Sequence, residues 1–530
     1  MKPFARSSLS AIAVLCLGTA PAHAAANDRP GPGEEKPGSL YLQCDGKPNN
    51  MTTGESAARL LGAVTLLGLF APRAETADAS KRKRGEEGVA ACSPLIEGER
   101  KEGNGARRVD LILARAIHQI EAKKYEAALA DAALARDEAR AAGLLADPYY
   151  ARSQGRASDL IEAAALYRLN RTDEAREAAL RSTPAIRYSI LGLLGIPRYL
   201  FDGPSASAKE ADYLSWRSHG TVTAANLEAD RLEEWGKFAE AAQVRDALVE
   251  FNRAAQPDMV SSAWLAKAAV AHALAGRADV AAERIAAARS NIDKRRTEGK
   301  PEAGNAEIVE LLDLHTILRM TADGDVSSAR RLFSARSQWV EASFGSVVET
   351  TRRLRAGAAP ADLIGSLARD PETMWRERLE AKRAEILAKD TDNKTLFSLL
   401  PGMDTASSYQ SVSKQVWRTD KSKLVMKIDK PAEGALQMER MFLYAAGDVA
   451  LDAYSLHAAL LAKKRGHQGF VIMPQAAGGY VSAAFKTGNR GEPGMAPALF
   501  NDADEVIANL SALIPDPETL KAIKAQAAKR

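Results

Sequence analysis

Through the middle of the chain, apolar residues recur at a helical spacing, and short turns separate the periodic stretches. Leu113, Ala116, Ile117 and Ile120 share one helix face, which resumes after Lys123 and Lys124 with Tyr125, Ala128, Leu129 and Ala132. Trp264, Ala268 and Ala271 pair in the same way with Ala281, Ile285 and Ala288, and Leu311, Leu314 and Leu318 with Ala329, Leu332 and Phe333. Glycine stands at three of the turns, Gly236, Gly276 and Gly324, where a left-handed residue reverses the chain after a helix. Beyond each turn comes a small residue, Ala128, Ala175, Ala241, Ala281 or Ala329, which lets two helix backbones approach closely. The pattern predicts antiparallel helix pairs packed side by side.

Tight turn and early alanine together, as in Gly276-Arg-Ala-Asp-Val-Ala281 and Gly324-Asp-Val-Ser-Ser-Ala329, resemble the tetratricopeptide repeat. Lys123 and Asn170 replace the glycine in the first two units, and the usual tryptophan of the first helix is mostly missing. The alanines follow one another by 47, 66, 40 and 48 residues, whereas the family period is about 34, so longer helices or inserts are expected. The resemblance covers residues 108–342 and implies a stacked array whose concave surface binds another protein. Within the 66-residue step, residues 185–218 carry Tyr188, Tyr199, Phe201 and Trp216. These aromatics admit two readings, a binding lip for a partner or a wedge filling the gap between helix pairs.

The N-terminus changes the picture of where the protein works. Lys2 and Arg6, the apolar run Leu9–Ala20 and Ala22-His23-Ala24 read as a secretory signal with its cleavage site. Residues 1–24 are therefore expected to be removed, with residues 25–39 as a flexible linker, and the chain to be periplasmic or secreted. Export leaves Cys44 and Cys92, most simply one disulfide, closing a loop of 47 residues and stapling a cap over residues 40–107. Within it, Ala57–Phe70 reads as a buried helix, too short at 14 residues to cross a bilayer core of about 30 Å. No membrane-inserted segment is expected in the mature chain. Lys81–Arg84 is a basic run flanked by Asp78, Glu86 and Glu87, the usual form of a solvated loop.

Residues 108–390 are assigned to the helical array and residues 391–530 to a small α+β module. In the module Lys423–Ile428, Phe470–Met473 and Tyr480–Phe485 read as strands, Glu433–Arg465 as a long helix or broken pair, and Asp502–Leu513 as an amphipathic helix. The fold class is thus mainly α, a tetratricopeptide-like array of antiparallel hairpins followed by this module. Lys+Arg 72 against Asp+Glu 68 gives +4, too balanced for nucleic acid as the main partner.

Candidate chemistry is thin. Ser411-Val-Ser-Lys414 and Lys486-Thr-Gly488 resemble two motifs of penicillin-recognising serine enzymes. The third motif of that family is missing, and 72 residues are too few for the helical domain such enzymes insert. His118 and His315 lie beside apolar helix positions, as core histidines do, and Asp448 with Asp452 reads as an acidic helix face or a cation pair. No catalytic, cofactor or metal residues are assigned, and the phosphate-loop motifs are missing. The expected function is a protein-binding or assembly scaffold in the cell envelope. The alternative is an envelope enzyme with its site in or beside residues 391–530.

Overall fold

The computed structural model describes residues 38–49, 76–189, 195–205, 207–220, 222–255, 260–299, 305–389, 393–402, 404–420, 424–428, 438–445, 447–477 and 480–527. The signal-like segment and Ala57–Phe70 lie outside the described residues. The fold is mainly helical, with a small antiparallel sheet near the C-terminus.

Two cap helices come first, α1 (Leu40–Asp45) and α2 (Gly85–Ile96), joined by a disulfide between Cys44 and Cys92 whose Cα atoms are 4.9 Å apart. They cover α3 (Gly105–Glu121), which is apolar from Leu111 to Ala114 and buried almost all round. Charges on so buried a helix need partners, and each has one. Arg107 holds Asp45 of α1, while Arg115 donates to Asp131 at 2.7 Å. His118 bridges the Cys44 carbonyl at 2.7 Å and Glu121 at 2.8 Å, a hydrogen-bonded core histidine. Its ring lies so close to Gly88 that a Cβ there would come within 2.4 Å of it.

Hairpins follow: α3 with α4 (Tyr125–Ala141), and α5 (Arg156–Arg168) with α6 (Thr172–Arg181). Helix α7 (Ala208–Gly220) leads into α8 (Val222–Glu234) with α9 (Phe238–Ala255). Then come α10 (Ser262–Leu274) with α11 (Ala278–Thr297), and α12 (Asn305–Ala322) with α13 (Val326–Ala335). Between pairs, α4 packs on α5, α9 on α10 and α10 on α12. All five turns have one geometry. Lys123, Asn170, Gly236, Gly276 and Gly324 have φ of 60°, 66°, 72°, 75° and 88°. The next residue's N–H bonds back five residues to a helix carbonyl, Lys124 to Gln119 (2.8 Å), Arg171 to Leu166 (3.0 Å), Lys237 to Leu232 (2.8 Å), Arg277 to His272 (2.9 Å) and Asp325 to Met320 (2.9 Å). This is the Schellman closure. Five residues beyond each left-handed position stands Ala128, Ala175, Ala241, Ala281 or Ala329, none more than 1% exposed.

Helix α14 (Phe344–Arg355) closes the last hairpin, and α15 (Pro371–Ala388) runs on to the short α16 (Asn393–Phe397). The composition change at residue 391 is not a core boundary. Leu396, Phe397, Leu399 and Leu400 join the core of the cap and first hairpins, where Phe397 lies 5.2 Å from the His118 ring.

The remainder comprises α17 (Ala406–Val416), β1 (Val425–Ile428), β2 (Glu439–Phe442), α18 (Gly447–Lys464), β3 (Gly469–Ala477), β4 (Tyr480–Gly488), β5 (Asn501–Asp502), α19 (Ala503–Leu510) and α20 (Pro517–Ala527). The sheet order is β1-β2-β4-β3-β5, antiparallel throughout, with Ile472 opposite Phe485 and Val471 opposite Lys486. One expectation fails. Glu439–Phe442 is a strand paired with β4 rather than the start of a helix, because long-range pairing outweighs the local helix preference of such residues.

Alternation along β3 gives the sheet two buried faces. Phe470 and Ile472 face the core built with α17, α18 and α19, whereas Val471 joins Ala484, Met495 and Phe500 against Ala225, Val244, Leu248 and Phe251 of α8 and α9. The third hairpin is therefore the second cover of the sheet, and the module is a layer of the same body.

Candidate functional site

The joint between hairpins and module is the most chemically distinctive place in the molecule. A single π turn, Ala151–Gly155, precedes α5 and places Arg152 in the joint; such turns occur mostly where packing or function holds them. Arg152 pairs with Asp452 of α18, their side chains only 5% and 1% exposed. Arg152 also donates to the Ala185 carbonyl at 3.1 Å, and the Tyr409 hydroxyl reaches Asp452 at 3.2 Å. Burial opposes the charge of Arg152, but Asp452, Tyr409 and Asp404 together outweigh it and hold the guanidinium above its ordinary range. Nearby, the Tyr149 hydroxyl donates to the Leu513 carbonyl at 2.9 Å.

Along the same joint, Tyr188, Trp216, His219, Gly220, Ser455, Ile472 and Asn501 line a cleft of about 10 Å³, room for a single water. Arg187 stacks on the Trp216 ring at 3.6 Å, the Tyr188 hydroxyl meets Glu505, and Asn501 donates to the His219 carbonyl at 3.2 Å. Burial, then the charges of Arg490 and Arg187, push His219 down to about 4, so its ring is neutral at physiological pH. Beside the cleft lies an open depression of about 350 Å³ lined by Lys463, His467, Gln468, Arg490, Asp502 and Asp504. Its charges are already matched, Lys463 to Asp504 at 2.8 Å and Arg490 to Asp502 at 3.7 Å.

A second buried polar group lies between α7 and α8. Glu210 is wholly buried with the Ser205 hydroxyl beside it. Burial pushes the Glu228 carboxyl up to about 8, against the pull of Arg217 and Arg231.

The aromatic set from residues 185–218 does not form one lip. Phe201 is 1% exposed and packs on Tyr213 at 5.2 Å, which removes it from any surface. Tyr199 lies against Tyr167 at 4.8 Å, whereas Tyr188 and Trp216, half-buried, line the cleft. The Ser411 hydroxyl donates to Ser408 of its own helix at 2.6 Å, and Lys486 donates to the Pro493 carbonyl at 3.3 Å, so neither contact assembles an acyl-transfer site. Asp452, half of the candidate cation pair, is taken by Arg152. Its apolar neighbours Leu451, Ala453 and Tyr454 were the one signal in the sequence that it is buried. Among the described residues, no group of His, Cys, Asp and Glu is placed to hold a metal ion, and no helix is long and apolar enough to cross a membrane. No protein-family profile, curated protein or solved structure matches the chain.

Proposed function

We propose that this is an exported helical-repeat protein, tetratricopeptide-like in its hairpins, that serves as a protein-binding or assembly scaffold in the cell envelope. The observation that carries the reading is the fivefold use of one turn, each with a buried alanine five residues beyond its left-handed position. Hairpins built alike and packed on their neighbours present equivalent side-chain positions at successive places, a geometry suited to extended protein ligands. Export rests on the signal-like N-terminus, and the disulfide fits an oxidising compartment.

Site-specific photo-crosslinking in the native cell tests this. The probe is placed at Leu134 of α4 and Val309 of α12, 37% and 51% exposed, and at Tyr444 of the module, 80% exposed. Discrete protein adducts are expected from the two hairpin positions. Adducts from Tyr444 alone would move the binding surface to the module and overturn the reading.

A further inference from the structure

The last residues of the five first helices, Glu121, Arg168, Glu234, Leu274 and Ala322, stand at one repeated place, two before the left-handed turn residue. A helix C-terminus leaves carbonyls without intrahelical partners and carries the negative end of the dipole. At two of these ends another element donates to the carbonyls, and at two others to the side-chain carboxylate of the last residue. Gly85 N–H of the cap donates to the Glu121 carboxylate at 2.9 Å. Arg353 of α14 donates to the Leu274 carbonyl at 2.7 Å. The two ends between them are served by one helix, α15: Arg378 pairs with Glu234 at 3.3 Å, and Arg383 donates to the Arg168 carbonyl at 2.7 Å and to that of Tyr167.

Helix α15 is held unlike its neighbours. Of its 18 residues only Pro371 and Met374 are buried, whereas the 12-residue α14 buries seven, Gly345 to Val348 among them. Its grip is arginine and ring contact: Trp375 edge-on to Phe344 at 4.6 Å, Arg378 over the same ring at 4.4 Å, and Arg383 over Tyr167 at 5.4 Å. Met374 and Trp375 join one core near its start and Ile386 meets another near its end, but residues 376–381 between them are exposed, so little apolar area is removed from water along its middle. Arginines five residues apart are separated by about 7.5 Å along a helix, with planar forks suited to carboxylates and carbonyls.

We propose that the helix ends at Arg168 and Glu234 form a docking track for an arginine-bearing helix, occupied in cis by α15, whose place an arginine-bearing helix of a partner protein takes. The track deepens the proposed protein-binding role and rests on it. Its electrostatics select the occupant, because an acidic helix would meet Glu234 and the dipole ends with like charge.

The test uses the full mature chain and a fluorescent peptide of residues 369–389. In Arg378→Ala/Arg383→Ala, hydrogen exchange across residues 371–388 should rise about tenfold or more while α5 and α8 keep their protection. The peptide should bind this variant saturably, and about tenfold more weakly when it carries the same two alanines. On the unaltered chain, excess peptide should raise exchange in α15 alone, which keeps the test independent of the variant's folding. Unchanged exchange in α15 together with no peptide binding would overturn the track while leaving adducts from Leu134 and Val309 untouched. Peptide binding without such adducts would retain the track and remove the wider scaffold reading.

Discussion

The hairpins and the C-terminal module are held in opposite ways. Each hairpin is specified within about a dozen residues: a helix end, a left-handed residue, a back-bonded N–H and an alanine five positions on. The module is specified by contacts hundreds of residues apart, with Asp452 meeting Arg152 and Val471 meeting Val244 and Leu248 of the third hairpin. Repetition gives a surface its regularity, and the long-range joint decides which part of that surface stays open. Here the third hairpin is spent on covering the sheet, so the hairpins do not form a free-standing unit that can be cut out and tested alone.

The sharpest way to break this comparison is at the joint. Asp452→Ala leaves Arg152 buried without its counter-charge and should destabilise the chain by about 3–5 kcal/mol in urea unfolding. Arg152→Met combined with Asp452→Leu should recover most of that loss, since replacing both buried charges by apolar groups is often neutral. A single variant as stable as the parent would show that the pair does not hold the module to the hairpins.

On the hairpin side, removing the Cys44–Cys92 disulfide by alanine substitution of both residues should lower stability by about 2–4 kcal/mol. The effect should concentrate in the cap and first hairpin, where α1 and α2 cover α3. Thiol mapping without reductant checks the premise: free thiols at both positions would contradict it.

A smaller effect is expected from Glu228. Its folded pKa, about 8, lies above the unfolded value, so the folded state holds the proton longer and stability falls as pH rises from about 4.5 to 8. The contribution is complete below the unfolded value and lost once pH passes the folded one. Glu228→Gln should flatten that stretch of the profile by on the order of 2 kcal/mol, less than the full shift implies because water enters around a buried charge. A slope identical in parent and variant would place the titration elsewhere.

These regions also differ in how far the sequence discloses them. The hairpins were legible because their signals are local: Gly236, Gly276 and Gly324 mark turns by themselves, and the alanines follow at a fixed offset. That Lys123 and Asn170 serve the same left-handed role emerges only from the offset, since neither is glycine. Strands β3 and β4 showed through their apolar alternation, but β2 did not, because residues 439–442 acquire strand geometry only by pairing with β4. The Arg152–Asp452 joint leaves only a faint mark in the sequence, the apolar neighbours of Asp452, since nothing local says that Arg152 is its partner. Phe201 was ambiguous, since an aromatic between Gly and Pro looks the same whether it faces solvent or a core. Helix α15 lies within the stretch assigned to the helical array. What its arginines reach lies more than 140 residues away in the chain, beyond any local pattern.

Everything functional proposed for the hairpins depends on their five turns being one motif, and substitution at the left-handed positions measures that directly. Around Gly236, Gly276 and Gly324 a Cβ would meet nothing within 4 Å, so alanine there introduces only backbone strain. Each Gly→Ala variant should lose about 1–2 kcal/mol in urea unfolding. At the equivalent Lys123, which already bears that strain, Lys123→Gly should gain about 0.5–1 kcal/mol, with a smaller gain for Asn170→Gly because asparagine visits this conformation more readily. Opposite signs at equivalent positions are the predicted result. Glycine lowering stability at Lys123, or alanine leaving it unchanged at the three glycines, would contradict the shared turn.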